Sequence, residues 1–287
     1  MAEALAIRAP DHLGDATMAI PAMRAIAGIT PSTIYGPRSL LALFEAVGVP
    51  DLRVRPAAEL PGEGTGVLFK PSFHAALSWR HLGRRFGIAE NGRGILLTDP
   101  LPQVPGEHRR EGYARIAAAL GAVVPERVRR PGGRGFVGLN PWSPSATVRW
   151  PYFGELADLL AGDFPVVFFA GPGEEAPVRA IAGPHPVRAG LPLPELAAVL
   201  RDCAVFVSND SGAAHFADAV DVPVIMVHGS TDPRRTGAGQ AVSGGPIWCG
   251  PCYRKTCILG LQCLTRIRPP TVADAVRMHL DRLPGAR

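Results

Sequence analysis

The sequence predicts an α/β protein built of two doubly wound domains that face each other across a cleft. Three observations predict it. Short apolar runs alternate with amphipathic stretches of about ten residues, the pattern of parallel sheets built from right-handed crossovers. The alternation is interrupted by a Pro-, Gly- and Arg-rich stretch, VPERVRRPGGRG, and then restarts. A chain of 287 residues fits two domains of roughly 100–200 residues each. The expected division is into 1–132 and 133–287.

The elements follow in order. ALAIRAP reads as a first strand, not as a signal peptide, because an early acid and the lack of a long apolar core argue against export. The turn DHLGD leads into a helix through ATMAIPAMRAIAG, with a kink or restart expected at Pro21. STIYGP is a second strand, and SLLALFEAVG a helix closed by Gly48. GVLFKP is a third strand, and EHRREGYARIAAALGA an amphipathic helix. After the interruption come the strand GFVGLNP, the helix YFGELADLLAG, the strand PVVFFA and the helix LPELAAVLRDC. Next are the strand AVFVSND, the helix SGAAHFADAV and the strand PVIMVHG. A last amphipathic helix, TVADAVRMHLDRL, follows Pro269 and Pro270.

Composition bounds the function. Hydrophobic residues make up 47% of the chain, enough for a large core. No run approaches the ~18 apolar residues of a membrane span. The net charge is +5, and the basic residues are arginines apart from Lys70 and Lys255. Residues 76–135 hold 11 arginines against five acids. With 33 Gly and 30 Pro, an arginine bias is what a GC-rich genome gives. Arginine also suits phosphate and carboxylate partners. No basic motif interleaved with aromatics is present, so nucleic acid is not an expected partner.

Ligands of open parallel sheets bind beyond the carboxyl ends of the strands. VFVSNDSGAAH is a strand end, a turn and a helix start. Asp210 or Ser211 is placed to cap that helix. The amides of Ser211, Gly212 and Ala213 would point outward at the positive end of its dipole, an anion site suited to phosphate. His215 lies one turn further in. HGSTDPRRTG follows the next strand with Gly, Ser, Thr and Arg. GPGEE puts Glu174 at a helix start, either to accept from ribose hydroxyls or to cap. In the first half, Asp15 follows the first strand. It is either a plain N-cap or a carboxylate able to take a proton from an acceptor hydroxyl. Neither half carries G-x-G-x-x-G or a P-loop.

Taken in order, these segments resemble glycosyltransferase family 9, the bacterial heptosyltransferases of lipopolysaccharide core assembly. HLGDATMAIPAMRAI is similar to the family's opening, and NPWSPSATVRWPYFGELADLL to its small-residue run before RWP. NDSGAAHFADAVDVPVIMVHGSTDPRRTG is similar to its most specific block, and CGPCYRKTCILGLQCLTRI to a cysteine-bearing tail. The resemblance implies a GT-B architecture of two Rossmann-like domains, with the C-terminal helix packing back. The first domain would be the acceptor side and the second the nucleotide-sugar side. It implies an inverting, cofactor- and metal-independent transfer of a sugar, expected to be heptose from ADP-heptose, to an anionic glycolipid such as the lipopolysaccharide core. The enzyme would be cytoplasmic, with peripheral contact to the inner face of the membrane.

The resemblance maps the base onto Asp15 and donor contacts onto Asp210, Ser211, Gly212, Ala213 and His215, with Glu174 as a ribose or base contact. The family's GPTDP reads GSTDP here, which brings Thr231 and Asp232 into the candidate donor site. The family's lysine before RWP is Val148, so Arg149 or the pair Arg234 and Arg235 would supply the cation. Alternative readings are a GT-B nucleotide-sugar epimerase or hydrolase, and a catalytically lapsed binding protein of the same fold. Cys249, Cys252, Cys257 and Cys263 form C-x2-C-x4-C-x5-C. They could hold a structural zinc or iron–sulfur cluster, form disulfides or stay reduced.

Overall fold

A computed structural model describes residues 4–49, 52–126 and 133–282. The chain falls into two compact units, Met1–Val128 and Arg129–Arg287. The boundary expected at 132/133 lies beside residues 127–132, which are outside the described residues.

The first unit runs β1 (Leu5–Arg8), α1 (Leu13–Ile29), β2 (Ser32–Gly36), α2 (Ser39–Ala46), β3 (Arg53–Pro56), β4 (Thr65–Leu68), α3 (Phe73–Ser78), β5 (Arg84–Ile88), β6 (Asp99–Leu101) and α4 (Arg109–Ala119). Its sheet has the order β3-β2-β1-β4-β5-β6, and every pairing is parallel. The chain lays strands outward to one side, returns to the centre and continues on the other side. The direction of winding therefore switches between β1 and β4. In doubly wound sheets that point opens a crevice at the strands' carboxyl ends.

The second unit repeats the scheme. It runs β7 (Phe136–Asn140), α5 (Phe153–Leu160), β8 (Val166–Ala170), α6 (Glu175–Ala182), β9 (Val187–Ala189), α7 (Leu193–Leu200), β10 (Cys203–Asn209), α8 (Gly212–Ala219), β11 (Val224–His228), α9 (Pro233–Thr236), β12 (Gln240–Ser243), α10 (Gln262–Thr265) and α11 (Pro269–Leu280). The order β12-β11-β10-β7-β8-β9 is again all parallel. Its switch point lies between β7 and β10. β10 is buried at every residue, as a central strand covered on both faces must be.

Local chemistry explains the ends of these elements. Ser72 caps α3 by accepting from the Ala75 amide at 3.3 Å. His108 and Glu111 close a reciprocal capping box on α4. Gly48 takes φ +73 after α2, the left-handed conformation that glycine adopts without strain. α1 does not restart at Pro21 but continues from Leu13 to Ile29, with the ring on an exposed face. The core of the second unit joins Trp150, Phe153, Phe168 and Val178 to Val272 and Val276 of α11. α11 packs back on α5 of its own unit. Arg277 binds Asp163 and the Leu159 carbonyl, both at 3.0 Å, and the Trp150 indole donates to Ile267 O at 2.8 Å. Among the described residues no helix is long and apolar enough to cross a membrane.

Candidate functional site

The polar knot at 208–213 sits on the β7/β10 switch point, and the structure divides its labour. Ser208 and Asn209 are fully buried and hold the scaffold. Asn209 Oδ1 accepts from the Trp150 amide at 2.9 Å, and its Nδ2 donates to Pro141 O at 2.8 Å. These bonds clamp the 141–150 loop against β10. Asn140, at the end of β7, donates to Phe169 O at 3.0 Å and accepts from Ser208 Oγ at 3.3 Å and Ser211 Oγ at 3.5 Å.

Asp210, Ser211, Gly212 and Ala213 are half-buried at the mouth of the site. Ser211 occupies the N-cap position of α8, but its side chain makes no capping bond. Its hydroxyl lies 3.0 Å from Ser208 Oγ instead. Asp210 accepts from Thr236 Oγ1 at 3.0 Å. The expected cap is therefore not made by Ser211, because two buried neighbours compete for its hydroxyl. The first-turn amides of α8 keep the dipole-favoured position for an anion.

Asp210 also stands between two buried histidines. His215 Nε2 is 3.9 Å from Oδ1, and His228 Nδ1 is 3.8 Å from Oδ2. His228 is the residue the sequence reading missed. Its signal was its place as the last residue of β11, directly before GSTDP. Burial is the main reason its pKa is lowered, against the opposing pull of Asp210 and Asp232. Thr231 joins the group through a 3.3 Å contact with His228 Nδ1.

The other candidates are placed differently. Asp232 is the N-cap of α9. It accepts from the Arg234 amide at 3.0 Å and from its guanidinium at 2.8 Å. The Arg234 hydrogen bond outweighs burial and holds the Asp232 carboxyl below its ordinary range. Glu174 stands at the N-cap of α6 without capping it. Its carboxylate folds back to accept from the Gly171 amide at 2.9 Å. Arg149 lies 3.6 Å over the Trp142 ring and donates to Ser143 O, while Val148 is buried. The cation on this segment is thus held by its own loop.

The cysteine-bearing tail fastens the same loops. Tyr253 N donates to Ser230 O at 3.0 Å, the Asp232 amide donates to Tyr253 Oη at 3.2 Å, and Thr147 donates to Arg254 O at 2.6 Å. No two of the five cysteines are joined in a disulfide. Among the described residues no three His, Cys, Asp or Glu side chains are arranged to hold a metal.

In the first unit, Asp15 is not the N-cap. α1 begins at Leu13 with His12 as its cap residue, and Asp15 falls in the first turn. α4 packs on α1 and brings Arg109 and Tyr113 within electrostatic reach of Asp15. Beside the β1/β4 switch point lies a cavity of about 930 Å³ lined by Arg8, Lys70, His74, Arg80 and His81. Asp11 pairs with Arg8 at 2.7 Å and with Lys70. Burial alone would raise the Asp11 pKa, but those two cations keep it below the usual carboxylate range.

Comparison with known proteins places this geometry. The lipopolysaccharide heptosyltransferase 1 of Pseudomonas aeruginosa is 35% identical over 108 residues, covering 31% of this chain and 30% of that protein. The chain spans about a third of the length of the curated relatives it matches. The E. coli ADP-heptose lipopolysaccharide heptosyltransferase II superposes with a TM-score of 0.72 at 19% identity, over 96% of this chain and 98% of that one. The E. coli heptosyltransferase WaaC with ADP gives 0.74 at 17% identity, over 96% and 100%. At these identities the likeness is one of fold, the GT-B class of two Rossmann-like units. The family's own sequence profile matches residues 103–262, more than half of the chain. The chain belongs to glycosyltransferase family 9 (heptosyltransferase).

Proposed function

We propose that this protein transfers a sugar, heptose from ADP-heptose, with inversion to a hydroxyl of an anionic glycolipid such as the lipopolysaccharide core. The observation that carries the reading is the α8 N-terminus. Its turn is half-exposed at a switch point, has no side-chain cap and is backed by Asp210 and His215.

The donor's diphosphate would lie on the amides of Ser211, Gly212 and Ala213, with His215 and Thr231 beside it. Glu174 has a second carboxylate oxygen to offer a ribose hydroxyl. Asp232 contributes by holding Arg234, and Arg149 by shaping the 142–149 loop. Asp15 removes the proton from the acceptor hydroxyl. The new C–O bond forms on the face opposite the diphosphate while the anomeric C–O bond breaks and ADP leaves. The fixed amide dipoles stabilise the charge that develops on the leaving group. The basic cavity of the first unit, with Arg8, Lys70 and Arg80, suits the acceptor's negative groups. The reading places the protein in the cytoplasm, at the inner face of the membrane where a glycolipid acceptor is met.

Turnover of ADP-heptose with and without a heptose-deficient lipopolysaccharide core tests the proposal. ADP release that depends on the core supports transfer. Release at the same rate without it means hydrolysis, and no release means a binding protein. Asp15→Asn is expected to retain ADP affinity and lose turnover by roughly 10²–10⁴-fold.

A further inference from the structure

The transfer steps leave His228 without a role, yet it is a polar ring buried at the end of β11. It is 2% exposed. Its Nδ1 lies 3.3 Å from Thr231 Oγ1 and 3.8 Å from Asp210 Oδ2. Its Nε2 is buried with no hydrogen-bond partner among the described residues. Burying polar atoms is costly unless they are paired, and a phenylalanine would fill the same space without that cost.

The neighbours fix where the ring carries its proton. Burial lowers the His228 pKa, so at neutral pH the ring is uncharged and has one proton. On Nε2 that proton would be a buried donor with no acceptor. Nδ1 would then turn a lone pair toward the Asp210 carboxylate, which can only accept. On Nδ1 the proton faces two oxygens. Asp210 Oδ2 already accepts from Thr236 Oγ1 at 3.0 Å, and the nearer oxygen is Thr231 Oγ1. Nδ1–H therefore donates to the threonine hydroxyl. A hydroxyl that accepts from the ring still has its own proton to give. Among the described residues that hydroxyl meets no other partner, and Thr231 is half-buried at the mouth of the site.

The backbone around Thr231 is held independently. Tyr253 N donates to Ser230 O at 3.0 Å, and the Asp232 amide donates to Tyr253 Oη at 3.2 Å. Gly229 passes so close under α10 that a Cβ there would stand 2.5 Å from Leu264 Cγ. With the main chain fastened on both sides, what is left to set is the threonine side chain.

We propose that His228 is a positioning residue for Thr231: its Nδ1–H donates to Oγ1 from inside, so that the hydroxyl proton points outward to a diphosphate oxygen of the nucleotide sugar. The proposal rests on the reading that the diphosphate lies at the α8 N-terminus with Thr231 beside it.

The test is calorimetric titration of the whole chain with ADP and AMP. Thr231→Val is expected to weaken ADP binding about five- to thirtyfold, as for loss of one hydrogen bond to a charged group, and AMP binding less. His228→Phe should weaken ADP binding about five- to tenfold, and should change nothing further on a Thr231→Val background. His228→Asn places an amide nitrogen where Nδ1 was, whereas His228→Gln places one nearer Nε2. The Asn variant should therefore bind ADP at least twofold tighter than the Gln variant, a difference that loss of packing would not give. This pair also carries the comparison if His228→Phe folds poorly. Equal ADP affinity in the Asn and Gln variants, or an equal further fall on the Thr231→Val background, overturns the proposal. Unchanged ADP affinity in Thr231→Val overturns the reading of Thr231 as a diphosphate contact. A weakened Thr231→Val beside an unaffected His228→Phe overturns the positioning role alone.

Discussion

Asn209→Ala is the sharpest probe of how the donor site is built. Asn209 is fully buried, and its amide spans the end of β10 and the 141–150 loop. Alanine removes the acceptor for the Trp150 amide and the donor for the Pro141 carbonyl. Each orphaned buried group costs about 1–3 kcal/mol, so the change should destabilise the second unit by about 2–6 kcal/mol. That is a large share of the roughly 5–15 kcal/mol that holds a domain folded. Urea unfolding followed by tryptophan fluorescence is a suitable assay, because Trp142, Trp150 and Trp248 all belong to this unit. Arg179→Ala is the control. It breaks an exposed pair with Glu175 on α6, which should contribute no more than about 1 kcal/mol. A loss below about 1 kcal/mol for Asn209→Ala would mean that the loop finds other partners, and the clamp argument fails.

Two further outcomes are expected at the same site. His215→Ala should weaken ADP binding by about 1–3 kcal/mol if it makes a charge-assisted hydrogen bond to the diphosphate, and should weaken AMP binding less; equal losses by calorimetry would make His215 a packing residue. His228 should destabilise the fold in acid. Its folded pKa is depressed by burial from an ordinary 6.5, so the unfolded chain binds the proton first and stability falls as pH drops below about 6.5. His279 is lowered as well, so the measurement is the difference between wild type and His228→Gln in urea midpoints at pH 5 and 8. The variant should lose less stability between the two, and an identical loss refutes the assignment.

Much of this protein was legible in the chain itself. β10 and β11 are apolar and rich in branched side chains, and a polar turn between them reads as a strand end, a helix start and an anion site before any neighbour is known. The NDSGAAH and GSTDP blocks named the family for the same reason: backbone approach to a phosphate needs small residues in sequence. The edge and near-edge strands were not legible. β3 (RVRP), β5 (RRFGI), β9 (VRA) and β12 (QAVS) are too short or too polar to announce themselves. They are strands because a parallel neighbour offers unpaired amides and carbonyls.

Tertiary structure alone decided which polar groups serve the site and which hold it up. Asn140 meets Ser211 across 71 residues of sequence, a contact fixed by the β7/β10 adjacency that only sheet order creates. The same adjacency sets Asn140 beside the Ser211 hydroxyl, which pairs locally with Ser208 instead of capping α8. Packing set Arg149 on Trp142 and folded Glu174 onto Gly171. It buried His228 against Asp210. Local sequence sets what each segment can form; burial and competition among distant neighbours set which hydrogen bond each side chain finally makes.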